Sequence, residues 1–216
     1  MSLVSNPLIG RAKQSMGGAT FTTWKGLQVL KNKATSVANP RSEGQINQRA
    51  RLSVLVAMYS FISSVIKQGF KEMAVGMSEF NGFTSANLKN AAVTATGGVA
   101  TVSYPDLLIS KGSMASTPID AVSAENGDLA VTVEFGPGNT NPSFSAADKT
   151  LVAIYNQTKD EWGTAVGTET RNQGGVVVTM PSALVTGNVL KVYLGFYNAT
   201  TGKVSNSVYQ NKVTTA

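Results

Sequence analysis

The stretch from Pro40 to Phe70, PRSEGQINQRARLSVLVAMYSFISSVIKQGF, does most to limit how this chain can fold, because it holds the one long helical pattern in 216 residues. Asn39-Pro40 disfavours helix before it. Ser42-Glu43-Gly44-Gln45 has capping-box spacing, with Glu43 suited to the positive end of the helix dipole. The helix is expected to begin near Ser42 and to stop at Gly69. Leu52, Leu55, Met58, Tyr59, Ile62, Val65 and Ile66 recur at three- and four-residue spacing and form one apolar face, which Val54 and Phe61 extend sideways. So wide a face calls for cover from more than one side, by the chain's own strands and by a partner. The uncharged run Leu52 to Ile66 is 15 residues long and includes four serines. A bilayer crossing needs about 20 predominantly apolar residues, so a buried helix is expected here and not a membrane span.

The helix separates two chemistries. From Met1 to Lys71 there are ten basic residues against Glu43 alone, a net +9, whereas Glu72 to Ala216 carries 8 basic and 11 acidic residues, a net −3. A basic third on a mildly acidic remainder points the N-terminal part toward an anionic surface, either nucleic acid or acidic protein. Arg11, Lys13, Lys25, Lys31, Lys33, Arg41, Arg49 and Arg51 are the candidate contacts; solvated lysines on an arm that binds nothing anionic are the plain alternative. In residues 1–41, a Gly-rich arm, Ala19 to Trp24 and Leu27 to Asn32 pattern as a hairpin turned at Lys25-Gly26. An isolated two-stranded ribbon is marginal, so the arm is expected to complete itself on the helix or in an assembly. Phe21 and Trp24 beside these lysines suit single-stranded nucleic acid, but strand alternation puts them on opposite faces, which favours anchoring the hairpin. The start has no apolar core of signal-peptide length, so a retained N-terminus is expected.

After the helix, Lys71 to Met77 suggests a further helical turn or two. Phe80 to Phe83 reads as a loop around Gly82, and Ser85 as the cap of a short helix through Lys89. Val93 to Thr96 and Val99 to Ser103 read as a hairpin turned at Gly97-Gly98, and Leu107 to Ser110 as one more strand. A boundary is expected near Gly112 to Pro118. Beyond it Leu129, Val131, Val133 and Phe135, and again Leu190, Val192, Leu194 and Phe196, alternate as strands with one buried face do. With Leu151 to Tyr155, Val176 to Met180 and Val204 to Val213, about seven strands fit into roughly 100 residues, the spacing of an immunoglobulin-like or fibronectin-like sandwich. The expected organisation is therefore an arm (1–41), an α+β segment of long helix, short helix and strands (42–112), and an all-β sandwich (113–216).

Chemistry is narrowed by absences. Without cysteine or histidine there are no disulfides, thiolate metal sites, His-based triads or zinc hydrolase sites. Ser64-Val65-Ile66-Lys67 matches the S-x-x-K pattern of serine acylases but has no partner motif. Asp148, Asp160 and Glu161 read as solvated turn residues. Leu55, Tyr59, Phe61 and Ile62, with Phe21 and Trp24, are the expected core or assembly anchors. Neither a cofactor nor a metal is called for.

Trp24-Lys25-Gly26, Asn39-Pro40-Arg41, Gln48-Arg49-Ala50, Gly69-Phe70-Lys71, Asn87-Leu88-Lys89-Asn90 and Val204-Ser205-Asn206-Ser207-Val208-Tyr209 resemble, in order over nearly the whole chain, a family of unknown function from Bacteroidota and their phages. The resemblance brings no catalytic residues. It implies a phage or prophage setting and a particle component. The expectation is a non-enzymatic, capsid- or tail-associated virion protein, assembled in the bacterial cytoplasm, that docks through its basic N-terminal region onto copies of itself or other virion proteins. The alternatives are nucleic-acid binding by residues 1–71 and, more weakly, glycan binding by the sandwich.

Overall fold

Gly17, at φ +57°, turns the chain between β2 (Gln14–Met16) and β3 (Ala19–Trp24), a conformation glycine adopts at little cost. β3 pairs antiparallel with β4 (Leu27–Asn32) in the register Ala19↔Asn32 to Trp24↔Leu27, the expected hairpin. With β1 (Ser2–Leu3) on the far side of β4 it makes a four-stranded sheet of order β1-β4-β3-β2. The computed structural model describes residues 2–3, 14–24, 27–34, 36, 39–136 and 145–215, so the Lys25-Gly26 turn lies outside the described residues. This sheet belongs to one of two compact units, Met1–Arg41 and Ser42–Ala216. Val29 of β4 is buried.

In the second unit α1 spans Glu43–Gly69. Ser42 occupies the N-cap position, but its side chain caps nothing, so the expected capping box does not form. Ser42 to Ile46 are exposed, and water satisfies amides there that a buried helix end would have to cap. Leu55, Met58, Ile62, Val65 and Ile66 face inward, whereas Leu52, placed on the apolar face by its spacing, is 41% exposed. The helix bends at Ile62 (φ −110°, ψ 23°), just after Ser60 donates its hydroxyl to the Ala57 carbonyl at 2.6 Å, a back-bond of the kind that distorts helices.

Lys71 to Met77 forms turns and not further helix. α2 runs from Glu79 to Lys89, capped by Ser78, whose hydroxyl accepts from the Asn81 amide at 3.2 Å. The loop expected at Phe80 to Phe83 is thus helix, and Ser85 lies inside it. A glycine in a helix costs about 1 kcal/mol, and packing outweighs it here: Phe80 meets Tyr59 edge-on at 4.9 Å and Phe83 meets Phe70 at 5.7 Å. β5 (Val93–Thr96) and β6 (Val99–Val102) form the expected hairpin, with Gly97 and Gly98 both at positive φ.

Seven strands follow: β7 (Ile119–Ser123), β8 (Ala130–Phe135), β9 (Lys149–Asn156), β10 (Glu161–Thr170), β11 (Gly175–Thr179), β12 (Val189–Tyr197) and β13 (Val208–Val213). They build two antiparallel sheets, β11-β8-β7 and β10-β9-β12-β13, a sandwich as the strand spacing anticipates. Between the sheets lie Val131, Val133 and Phe135 of β8, Val152 and Ile154 of β9, Val176 and Val178 of β11, and Leu190, Val192, Leu194 and Phe196 of β12.

The outer face of the larger sheet is not solvated. Leu151, Ala153 and Tyr193, which alternate with the sandwich core, are also buried, and they share a second core with Leu55, Ile62, Ile66, Phe70 and Phe83. Residues 42–216 are consequently three layers of one unit. The boundary expected near Gly112 marks no break in packing, because the helical layer and the sheet remove the same apolar surface from water.

Across that boundary runs an irregular segment, Leu107 to Met114, where a strand was expected at Leu107 to Ser110. Buried backbone outside a ladder still needs partners, and side chains supply many of them. The Leu108 amide donates to Asn87 Oδ1 (2.8 Å) and its carbonyl accepts from Asn87 Nδ2 (3.0 Å). The Ile109 amide donates to Ser207 Oγ (3.1 Å), Lys111 to the Gly69 carbonyl (2.9 Å) and Gly112 to Asn206 Oδ1 (3.2 Å). Ser113 donates to the Glu72 carboxylate (3.1 Å) and Met114 to the Val204 carbonyl (2.9 Å). A Cβ on Gly69 would stand 2.4 Å from the Ile109 carbonyl, so glycine is required where the helix end meets this segment.

Candidate functional site

The basic candidates divide between the two units. Arg11, Lys13 and Lys25 lie outside the described residues. Lys31 at the end of β4, Lys33 just after it, and Arg41, which sits at φ +47°, are exposed. Arg49 is exposed on the first turns of α1. Arg51 is not a spare cation: its Nε donates to the Val93 carbonyl at 2.7 Å and its Nη2 to the Leu88 carbonyl at 3.0 Å, tying α1 to the end of α2 and to β5. That corrects its reading as a partner contact, since the helix–hairpin joint already uses its fork of donors.

Of the anchors, Leu55 and Ile62 are fully buried and Tyr59 packs on Phe80. Phe21 is half-buried in β3. The side chain of Trp24 lies outside the description. Phe61 is no core residue, being 62% exposed on the flank of α1.

Several motif residues prove to be staples of the fold: Asn87, Ser207, Asn206 and Gly69 all hold the 107–114 segment, and the buried Ser205 hydroxyl accepts the Phe196 amide at 2.9 Å and donates to the Asn206 carbonyl at 3.2 Å. Glu72 joins them. Burial pushes its pKa up, but hydrogen bonds from Ser113 and Val204, with Lys203 nearby, outweigh burial and hold the carboxyl below its usual range. Asp148, expected as a solvated turn residue, is fully buried beside Arg171 (3.8 Å), and accepts from Asn198 Nδ2 (2.8 Å) and the Ser145 amide (3.0 Å). The Arg171 guanidinium lies 3.9 Å from the centroid of the Phe196 ring. A charge pair this enclosed orders the sandwich end.

One surface feature remains unexplained by packing. Antiparallel register places Trp162 of β10 opposite Tyr155 of β9, and Tyr155 opposite Lys191 of β12. The Tyr155 and Trp162 rings stack at 4.8 Å, and Tyr104, from the short 3₁₀ turn Tyr104–Asp106, stacks on Tyr155 at 5.5 Å. Lys191 Nζ lies 5.5 Å from the Tyr104 ring centroid and donates to Asn211 Oδ1 at 2.9 Å. Opposite stand Val54, Ala57, Met58 and Phe61 of α1, and Val102 of β6 closes the side of a groove of about 220 Å³. Among the described residues Asp160 is the one charged residue lining it, and it accepts the Tyr155 hydroxyl at 2.8 Å. Burial, then Asp160, push the Tyr155 pKa up, so its hydroxyl stays a donor. Asp160 itself is at φ +54°, a left-handed position that aspartate tolerates better than most residues.

Tyr155 and Trp162 could be placed opposite each other from the sequence, since they flank one hairpin turn symmetrically. Tyr104 and the α1 wall are remote in sequence and carry no such signal. Among the described residues no group of three or more acidic side chains is placed to hold a metal ion.

Among solved structures, the chain is similar to the fibronectin type III domain of the human collagen alpha-1(XX) chain, at 16% identity and a TM-score of 0.36, over 50% of this chain and 91% of that one. A comparison with curated proteins finds no match. A family profile described as a family of unknown function, DUF6266, matches residues 11–211. The match takes in both units, the stapled segment and the aromatic groove, and the chain belongs to that family.

Proposed function

We propose that this protein is a non-enzymatic structural component of a bacteriophage particle, capsid- or tail-associated and present in many copies, that docks through its basic N-terminal region. The observation that carries the reading is the charge asymmetry, a net +9 over residues 1–71 against −3 over residues 72–216, with Lys31, Lys33 and Arg41 exposed. So basic a region is drawn to an acidic surface. The phage setting rests on the family resemblance of the spaced motifs. In this reading residues 42–216 form the accessory body that the arm fastens to the particle. Mass spectrometry of purified virions should find the protein in many copies. A soluble monomer absent from virions overturns the proposal.

A second reading, nucleic-acid binding by residues 1–71, draws on the exposure of Lys31, Lys33 and Arg41. It requires an affinity that falls steeply with salt through counterion release. Absent or salt-insensitive DNA binding by the full-length protein removes it.

A further inference from the structure

The groove between α1 and the β9–β10 hairpin combines two recognition elements. Its walls carry Phe61, Tyr104, Tyr155 and Trp162, and among the described residues its single charged group is the Asp160 carboxylate. Apolar aromatic walls with one carboxylate suit an organic cation, whose charge is attracted to ring faces and whose donors need an acceptor. A carboxylate accepts up to about four hydrogen bonds, and the Tyr155 hydroxyl takes one at Asp160 Oδ1. The same ring stack already receives a cation from within the chain, Lys191 over Tyr104.

The chain carries the matching group. Residues 72–216, which supply the Asp160 wall, have a net charge of −3, and the N-terminal third has +9. The Met1–Arg41 unit presents Lys31 and Lys33 in the open.

We infer that the groove is a docking site for a lysine or arginine side chain from the N-terminal arm of a second copy of this chain. The inference rests on the assembly proposed above and names the contact that joins one copy to the next. Phe61, exposed on the lone protomer, becomes one wall of that contact, and Asp160 its counter-charge.

Sedimentation of the full-length protein, with choline chloride as the small cation probe, tests this. The wild type should self-associate, and choline should weaken association and change Trp162 fluorescence where equimolar sodium chloride does neither. Asp160→Asn keeps the left-handed turn and an acceptor for Tyr155 while removing the charge. Phe61→Ala removes an exposed ring. Each should weaken association and choline binding about tenfold. A full-length variant with Arg11, Lys13, Lys25, Lys31, Lys33 and Arg41 all changed to glutamine should lose association yet bind choline like the wild type. The inference is overturned by a monomeric wild type, by Asp160→Asn and Phe61→Ala associating normally, by indifference to choline, or by an arm-neutral variant that still associates. The virion measurement above is independent of these outcomes, so the particle role and the groove contact fail separately.

Discussion

Replacing Asn87 by alanine removes both partners of Leu108 at once. The Leu108 amide loses its acceptor and the Leu108 carbonyl its donor, in a segment with no strand neighbour to take over. A buried polar group left without a partner costs about 1–3 kcal/mol. The two Leu108 groups are only partly buried, which places the pair near the lower half of that range each, a loss of about 3 kcal/mol in all. The third bond, Asn87 Nδ2 to the Phe83 carbonyl, adds little, because helix carbonyls keep their main-chain partner. Urea unfolding of the full chain, followed by far-UV circular dichroism, reads this directly. With a slope of about 2 kcal/mol per molar, the midpoint should fall by about 1.5 M. Asn90→Ala, in the same four-residue motif but exposed, serves as the control and should stay within about 0.5 kcal/mol of the wild type. An Asn87→Ala midpoint indistinguishable from that of Asn90→Ala would refute the account of the 107–114 segment as stapled by side chains.

Glu72, whose folded pKa is depressed, contributes stability that is fully present above its unfolded value near 4.5 and is lost as pH falls through the lower folded value. Glu72→Gln should therefore be less stable than the wild type at pH 7, with the gap closing as urea midpoints are taken below about pH 4.5; a gap independent of pH contradicts the assignment. Asp148→Ala removes the carboxylate beside the Arg171 guanidinium, which is 1% exposed, and should cost about 3 kcal/mol, a drop in thermal midpoint that calorimetry resolves. Leu55→Asp puts a carboxylate into the core shared by α1 and the β9–β12 face, so unfolding should remain a single transition that carries the sandwich with it. A sandwich that survives this change would show that residues 42–112 fold apart from it.

Most of the elements are legible locally, where the signal is periodic. Five of the sandwich strands (β8, β9, β11, β12 and β13), the Gly97-Gly98 hairpin, the extent of α1 and the hairpin of β3 and β4 follow from alternation, helical spacing and turn glycines, whereas β7 and β10 are not picked out individually. Local pattern starts the short helix too late, because Gly82 argues for a loop and nothing near it in sequence says that Phe80 and Phe83 pack on Tyr59 and Phe70. Arg51 and Asp148 depart from their local reading for a similar reason. A charge in a sequence window reads as solvated, and whether it is spent on a carbonyl or a buried partner depends on segments far along the chain, Val93 in one case and Arg171 in the other.

By itself, the sequence determined the secondary-structure grammar, the two-sheet count of strands, the charge asymmetry between arm and body, and the exclusion of cysteine and histidine chemistry. Each is a property of neighbours along the chain or of composition. Tertiary structure decided that the helix and the sandwich are one unit, that Leu107 to Met114 is stapled backbone and not a strand, and that Phe61, Tyr104, Tyr155, Asp160 and Trp162 meet in one groove. These depend on which faces bury each other. The outer face of β9 and β12 is read as solvent until a helix from a hundred residues earlier covers it, because burial is settled by long-range packing and not by local pattern.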